Sequence, residues 1–376
     1  MSAKTYLLRV LICSLVVSVL VLGLNFVVDP YGVTGVPRIP HLNEYKVDIN
    51  EHTRLMKKYQ PLFAHHNALI VGNSRVELGI SPSHPCFSDA GMDVYNLGIP
   101  GADVRTQLAY ALNLVYQQPI KAVFLSLDFT DFISPQLRNY QGRPAMLEQP
   151  AGEFKLTASG EPNPDYLRIY LLDYLKSLFS LDALVASVRT IVLQSNDAPD
   201  RDAAGFNSAR DFDKAVRIEG PRALFDQKMF DLQAKYSTPW YLRDPDGRLD
   251  PAFEDIDAFL AIAAERGIAV YLFTNPFHDR FWDMLRTQGH LPAYEDWMRS
   301  MEALVRKHES TAVVFWDFSE DSPYIHEAVP AEGVKSGPLQ WFWEPAHYRQ
   351  ELGELMVDAM LSESCDTKVA FGHRVF

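Results

Sequence analysis

Cysteine is scarce: three residues in 376, at positions 13, 86 and 365. No pair has metal-ligand spacing, and three cysteines cannot build a disulfide framework. Cys13 lies inside an apolar run, so the one bridge the sequence allows joins Cys86 to Cys365. Basic excess is also missing. The 35 Lys and Arg face 48 Asp and Glu, a formal charge of -13. A nucleic-acid binder needs a basic face to displace counterions, so that class is set aside. Internal repeats and low-complexity tracts are absent, which excludes a repeat array.

Charge is missing altogether from residues 10–28. About 20 apolar residues span a bilayer core of ~30 Å. Lys4 and Arg9 precede the run, and Asp29, Pro30 and Gly32 end it. A small-x-small cleavage pattern is lacking at residues 24–28, and the run is long for a signal-peptide core. The expectation is an uncleaved transmembrane helix. Positive charges before the span place the bulk of the chain on the non-cytoplasmic, periplasmic side of the cytoplasmic membrane. Arg38 and Lys46, beyond the span, pull the other way.

What remains is ordinary for a globular protein: 47% hydrophobic and 22% charged residues, enough for a sizeable core. Residues 29–65, rich in proline and asparagine, read as a stalk or extended wrap. Short apolar runs at 68–71, 93–96, 121–127, 268–273 and 311–315 read as strands. Helices are expected at 102–116, 255–266, 294–308 and 347–361. The alternation implies an α/β fold with a central parallel sheet and helices on both faces. It breaks between 132 and 251, a mainly helical insertion. There, residues 166–193 are apolar but carry Arg168, Asp173, Lys176, Asp182 and Arg189. Each such charge costs about 2.5–3.5 kcal/mol at a bilayer centre. The segment is read as two helices capping the sheet edge, with a surface-lying amphipathic segment as the alternative. The domains are therefore an anchor (1–28), a wrap (29–65), an α/β domain (66–131 with 252–376) and the insertion (132–251).

In open α/β sheets, ligands bind beyond the carboxyl ends of the strands. Ser74 follows the first strand by a short turn, Gly72-Asn73-Ser74, and is a candidate nucleophile. Asn96 and Gly98 follow the second strand, Asp128 and Asp131 the third, Asn275 and His278 the fourth. Glu344 and His347 stand ahead of the last helix among Trp341, Phe342, Trp343 and Tyr348. Acyl transfer needs a nucleophile, a base and an acceptor that orients the base. Ser74, His347 and Glu344 supply those types. Metal-type spacing does not join Asp128, Asp131 and His278, and neither a metal nor a cofactor is expected.

The ordered blocks Gly72-Asn73-Ser74-Arg75, Asn96-Leu97-Gly98, Leu127-Asp128-Phe129 and Glu344-x-x-His347 resemble the SGNH/GDSL hydrolase superfamily. The closest likeness is to its membrane-anchored, extracytoplasmic branch, related to proteins that acylate cell-wall polymers and exopolysaccharides. The resemblance implies a flavodoxin-like three-layer sandwich. It implies Ser74 as nucleophile, His347 as general base and Glu344 in place of the usual Asp. The Ser74 and Gly98 N–H groups would form the oxyanion hole. The third block normally brings an Asn there; this chain has Asp128, which would repel an oxyanion. Asp128 is then turned away, or protonated, or replaced by another donor such as Asn275. Arg75, Asp128, Asp131, His278 and Trp343 are expected near substrate, with Arg75 equally readable as a structural ion pair. The expected activity is that of a serine esterase or O-acyltransferase, acetyl by preference, on an extracytoplasmic glycan. Its partners would be the acylated glycan, the membrane and a membrane-bound acyltransferase. A non-catalytic polysaccharide-binding or assembly component and a lipid esterase are the alternatives.

Overall fold

The computed structural model describes residues 2–149, 152–194, 200–365, 367 and 369–376. It opens with a helix, α1 (Ala3–Val28), almost wholly exposed until its last turns, where Asn25 and Val28 are buried. The segment 29–65 is no free stalk. It folds back on the body through α2 (Thr53–Tyr59) and buries Tyr31, Val33, Ile49, Met56 and Tyr59.

The α/β rhythm follows with β1 (Ala68–Gly72), α3 (Ser74–Gly79), α4 (Pro85–Asp89), β2 (Val94–Gly98), α5 (Val104–Val115) and β3 (Ala122–Leu127). Every residue of these three strands is buried, as expected of strands covered on both faces. Alternate residues feed two cores. Leu69, Val71, Val123 and Leu125 pack with α5 on one face; Ala68, Ile70, Ala122 and Phe124 pack on the other.

The insertion supplies α6 (Tyr166–Leu178), α7 (Leu181–Val192), α8 (Arg210–Glu219) and α9 (Pro221–Tyr236). The two helices expected at 166–193 are present, but they do not cap the sheet edge. They pack on α1 and on segment 29–65: Asn25 Nδ2 donates to Leu178 O at 2.9 Å and Lys58 Nζ to Asp173 at 2.7 Å. The cover over the site comes from α8 and α9 instead.

The sheet then completes. After α10 (Ala252–Glu265) comes β4 (Ala269–Thr274), then α11 (Asp279–Thr287), α12 (Leu291–Arg306) and β5 (Val313–Asp317). A two-stranded hairpin, β6 (Phe342–Glu344) and β7 (His347–Tyr348), precedes α13 (Gln350–Met360), α14 (Ser362–Cys365) and a short β8 (His373–Arg374). The last long helix therefore starts at Gln350, not at His347.

The sheet order is β2-β1-β3-β4-β5-β8, parallel except for β8. Its five parallel strands follow the doubly wound 2-1-3-4-5 order, whose switch point lies between β1 and β3. Ser74 and Asp128 leave the sheet there. Cys86 and Cys365 form a disulfide that ties α4 to α14 across 279 residues of sequence.

Candidate active site

Ser74 is the first residue of α3, placed there by Asn73, whose side chain caps the helix by accepting the Arg75 N–H at 3.0 Å. The hairpin β6–β7 brings the other two residues. Glu344 pairs with His347 across it. Two glycines bring hairpin and nucleophile together. A Cβ on Gly79 would lie 2.0 Å from the Tyr348 ring, and one on Gly353 would lie 1.8 Å from Gly79 O. Only bare backbone allows α3 and α13 to approach this closely.

The result is one hydrogen-bonded chain. Ser74 Oγ lies 2.7 Å from His347 Nε2, and His347 Nδ1 is bonded to Glu344 Oε1. The second Glu344 oxygen accepts the Ala346 N–H at 2.9 Å. Burial pushes the Glu344 carboxyl up, but the His347 ring and its hydrogen bond, then Lys228 and the Ala346 N–H, pull it below its ordinary value. Phe212 from α8 stands 6.1 Å from the His347 ring, and Trp343 is buried behind it.

Beneath the nucleophile lies a buried polar network centred on Asp128. Its carboxylate accepts from Asn73 Nδ2, from Arg75 Nη1 at 2.8 Å and from Asn275 Nδ2 at 2.9 Å. Asn73 also donates to Asp131 at 3.2 Å, as does Gln107. Burial first, and then the Asp128 charge, push Asp131 up to about 7, with Arg75 opposing. Arg75 bridges the two halves of the site. Its Nε donates to Ala346 O at 2.9 Å, and its guanidinium lies 4.7 Å over the Phe277 ring.

These contacts reassign several residues. Arg75 and Asp128 bond to each other, and Asp128 and Asp131 both accept from Asn73, so the three side chains brace the loop that carries Ser74. Asn275 gives its amide hydrogens to Asp128 and Ser126 and accepts from Tyr348 Oη, so it offers no oxyanion donor. The Gly98 N–H donates at 2.8 Å to Asn96 Oδ1, also away from the nucleophile. The Ser74 N–H, first in its helix, has no intrahelical acceptor and, among the described residues, is a donor left beside Ser74 Oγ. His278 is structural: Nε2 meets Glu327 O at 2.8 Å, Nδ1 caps α11 by accepting the Arg280 N–H, and its ring sits between Phe225 and Phe342. Burial pushes its pKa down. Trp343 packs with Leu78 and Val216, its face covered by Arg349 at 4.6 Å.

The sequence reading missed Lys228 on α9, whose Nζ lies 3.9 Å from Glu344 Oε1, and Phe212. Both come from the insertion, where no periodic signal pointed to the site. Asn73 lies within the Gly72–Arg75 block, yet its bracing role depends on the positions of Asp128 and Asp131. Beside Trp343 a cavity of about 490 Å³ has a lining of both signs, with Arg210, Arg217 and Arg349 set among Asp213 and Glu351. Compared with models of known protein families and with curated protein sequences, the chain matches none.

Proposed function

We propose that the chain is a serine-dependent ester hydrolase or O-acyltransferase, of the SGNH type, acting on an acylated extracytoplasmic glycan. The observation that carries this reading is the unbroken chain Ser74 Oγ–His347 Nε2 and His347 Nδ1–Glu344 Oε1. Ser74 Oγ attacks the ester carbonyl carbon while its proton passes to His347 Nε2. Glu344 holds the imidazolium through Nδ1–H. The carbonyl oxygen becomes an oxyanion facing the Ser74 N–H. His347 then protonates the departing alkoxide oxygen, leaving an acyl group on Ser74. Water, or a sugar hydroxyl, gives a proton to His347 and attacks the acyl carbon. The proton returns to Ser74 Oγ as the bond to the acyl group breaks.

The setting follows from α1. Its most apolar 18-residue window has a mean hydropathy of 2.7, and the helix is long enough to cross a bilayer. With Lys4 and Arg9 retained inside, the catalytic domain faces the non-cytoplasmic side. The Cys86–Cys365 disulfide fits an oxidising compartment there. The glycan is argued from the resemblance and this location. A membrane-bound acyltransferase would supply the acyl group in the transfer version.

The test is turnover of acetyl esters, p-nitrophenyl acetate and an acetylated polysaccharide, by the parent chain and by Ser74→Ala. Activity in the parent and its loss in the variant are expected. Equal turnover in both removes Ser74 from the mechanism.

The inward commitment of the Gly98 N–H and the Asn275 amide favours a second reading, a non-catalytic polysaccharide-binding component that keeps the triad without a full oxyanion hole. Failure of a fluorophosphonate probe to label Ser74 in the folded chain, with retained polysaccharide binding, selects it.

A further inference from the structure

The helices α6 and α7 have their polarity inverted. On α7 the buried positions are small or hydroxylated: Ala183, Ala186, Ser187 and Thr190, spaced i, i+3, i+4, i+7. The large apolar residues Leu181, Val185, Val188 and Val192 follow the same period on the opposite face and are exposed, Leu181 by 75%. On α6 the single fully buried residue is Ser177, while Leu167, Leu171 and Leu175 point outward. A helix on a water-soluble surface buries its large apolar stripe and shows its small polar one. Small residues inside and bulky aliphatics outside are the pattern of helices packed together in lipid.

The hairpin is joined to α1 rather than to the sheet. Asn25, wholly buried near the end of α1, donates to Leu178 O at 2.9 Å and accepts from Ser187 Oγ at 2.7 Å. Resting on the reading of α1 as a span, these contacts fix depth. About 20 residues of α1 fill the hydrocarbon core, so its last turns, where Asn25 sits, reach the lipid–water boundary. The outward leucines and valines of α6 and α7 then lie beside that boundary. Arg168 and Lys176, exposed on α6, have the reach to place their charges among headgroups. The opposite face of α6 is pinned to the body: Asp173 accepts from Lys58 and Tyr59, and Tyr174 Oη donates to Val33 O at 2.7 Å.

We propose that the α6–α7 hairpin is an interfacial membrane element, its outer apolar face embedded in the leaflet from which α1 emerges. Together the three helices form one seat that holds the catalytic domain at a set height and orientation on the membrane. The occupant of the exposed face is lipid.

The test uses the full chain in vesicles of phosphatidylethanolamine and phosphatidylglycerol, in a Cys13→Ser background. Single cysteines at Leu175→Cys and Val188→Cys carry an environment-sensitive fluorophore. Controls are Leu15→Cys in α1 and Arg299→Cys on the exposed face of α12. Quenching by a nitroxide lipid labelled near the headgroup is expected to be several-fold stronger at 175 and 188 than at 299, with iodide access reduced in the same order. Deep-nitroxide quenching at 15, with quenching by the headgroup-labelled lipid at 175 and 188 no stronger than at 299, overturns this proposal alone. Absence of quenching at 15 removes the anchor reading, and this proposal with it. Shielding of 175 and 188 from iodide without lipid quenching assigns the face to a protein, such as a second copy of the chain, and overturns the proposal.

Discussion

Arg75 Nη1 lies 2.8 Å from Asp128 Oδ2, and this buried ion pair stands where the resemblance predicts an oxyanion-hole asparagine. The same guanidinium donates to Ala346 O, next to His347. A carboxylate facing a forming oxyanion would raise the barrier. Here its charge is met by Arg75 and by two amide donors, so it acts as a fastening. Of the readings open for Asp128, the geometry selects the one in which it is turned away.

Asp128→Asn should therefore harm the chain rather than improve it. The change removes the anion facing Arg75 and puts an N–H group among donors. Breaking one side of a buried pair typically costs about 3–5 kcal/mol. The expectation is a lower melting temperature together with reduced ester turnover. A variant as stable as the parent and more active would show that position 128 belongs to the oxyanion hole after all.

Asp131 gives the fold a pH dependence with a sign opposite to that of most carboxylates. Its carboxyl is turned inward towards Asn73 and Gln107, and burial beside Asp128 raises it to about 7. The unfolded chain releases this proton near the ordinary Asp value, whereas the folded chain holds it until about 7. Between those limits the native state binds more protons, so stability falls as pH rises. Melting temperature should drop from pH 5 to pH 7.5, and Asp131→Asn should flatten that drop. An unchanged pH profile in the variant would place the titration elsewhere.

The strands of the sheet were legible because β1, β3 and β4 are continuous apolar runs, and runs buried on both faces need no partner to be recognised. Ser74 and His347 were legible because their blocks lie at strand and helix boundaries. The hairpin β6–β7 was not. Two residues of strand at His347–Tyr348 leave no periodic trace, and their shape is set by pairing with β6 and by contacts with α3. The insertion is helical, as its sequence implies, but where its helices pack is not legible for a related reason. Its most apolar helices, α6 and α7, have the composition of a cap, but their apolar faces point outward. The helices over the site, α8 and α9, present a mixed surface in which Phe225 is buried and Phe230 exposed. No sequence pattern connects Lys228 to Glu344.

That link makes a prediction for the insertion. Lys228 Nζ, 3.9 Å from Glu344 Oε1, helps to hold the carboxylate ionised, although its side chain is about a third exposed at 34%. Lys228→Met should move the acid limb of kcat/KM to higher pH, because a carboxylate deprived of a nearby cation takes up its proton sooner. Solvent screening keeps the effect modest, under about tenfold. High salt should bring the parent towards the variant. A profile insensitive to both changes would detach α9 from catalysis.

Glu344→Gln tests the third member of the triad more severely. The amide preserves size but no longer stabilises an imidazolium, and it favours the wrong tautomer of His347. In serine hydrolases the equivalent exchange lowers kcat by about 10⁴. The expectation is a loss of that order with KM little changed. Retention of activity within tenfold would mean that His347 works without an orienting anion.

The close crossing of α3 and α13 leaves no room for a methyl group at Gly79. Alanine in place of a helical glycine gains about 1 kcal/mol from propensity where space allows. At Gly79 the new methyl would sit 2.0 Å from the Tyr348 ring, and Tyr348 Oη is fixed by its bond to Asn275 Oδ1. Overpacking of a closed site costs about 1–3 kcal/mol, so the clash outweighs the propensity gain. Because Tyr348 neighbours His347 on β7, a shift of β7 that relieves the clash would carry His347 with it and disturb its 2.7 Å contact with Ser74 Oγ. Gly79→Ala should lower both melting temperature and kcat, and it should slow fluorophosphonate labelling of Ser74. A variant that is destabilised but labels at the parent rate would show that another contact, such as Arg75 with Ala346, sets the distance between nucleophile and base.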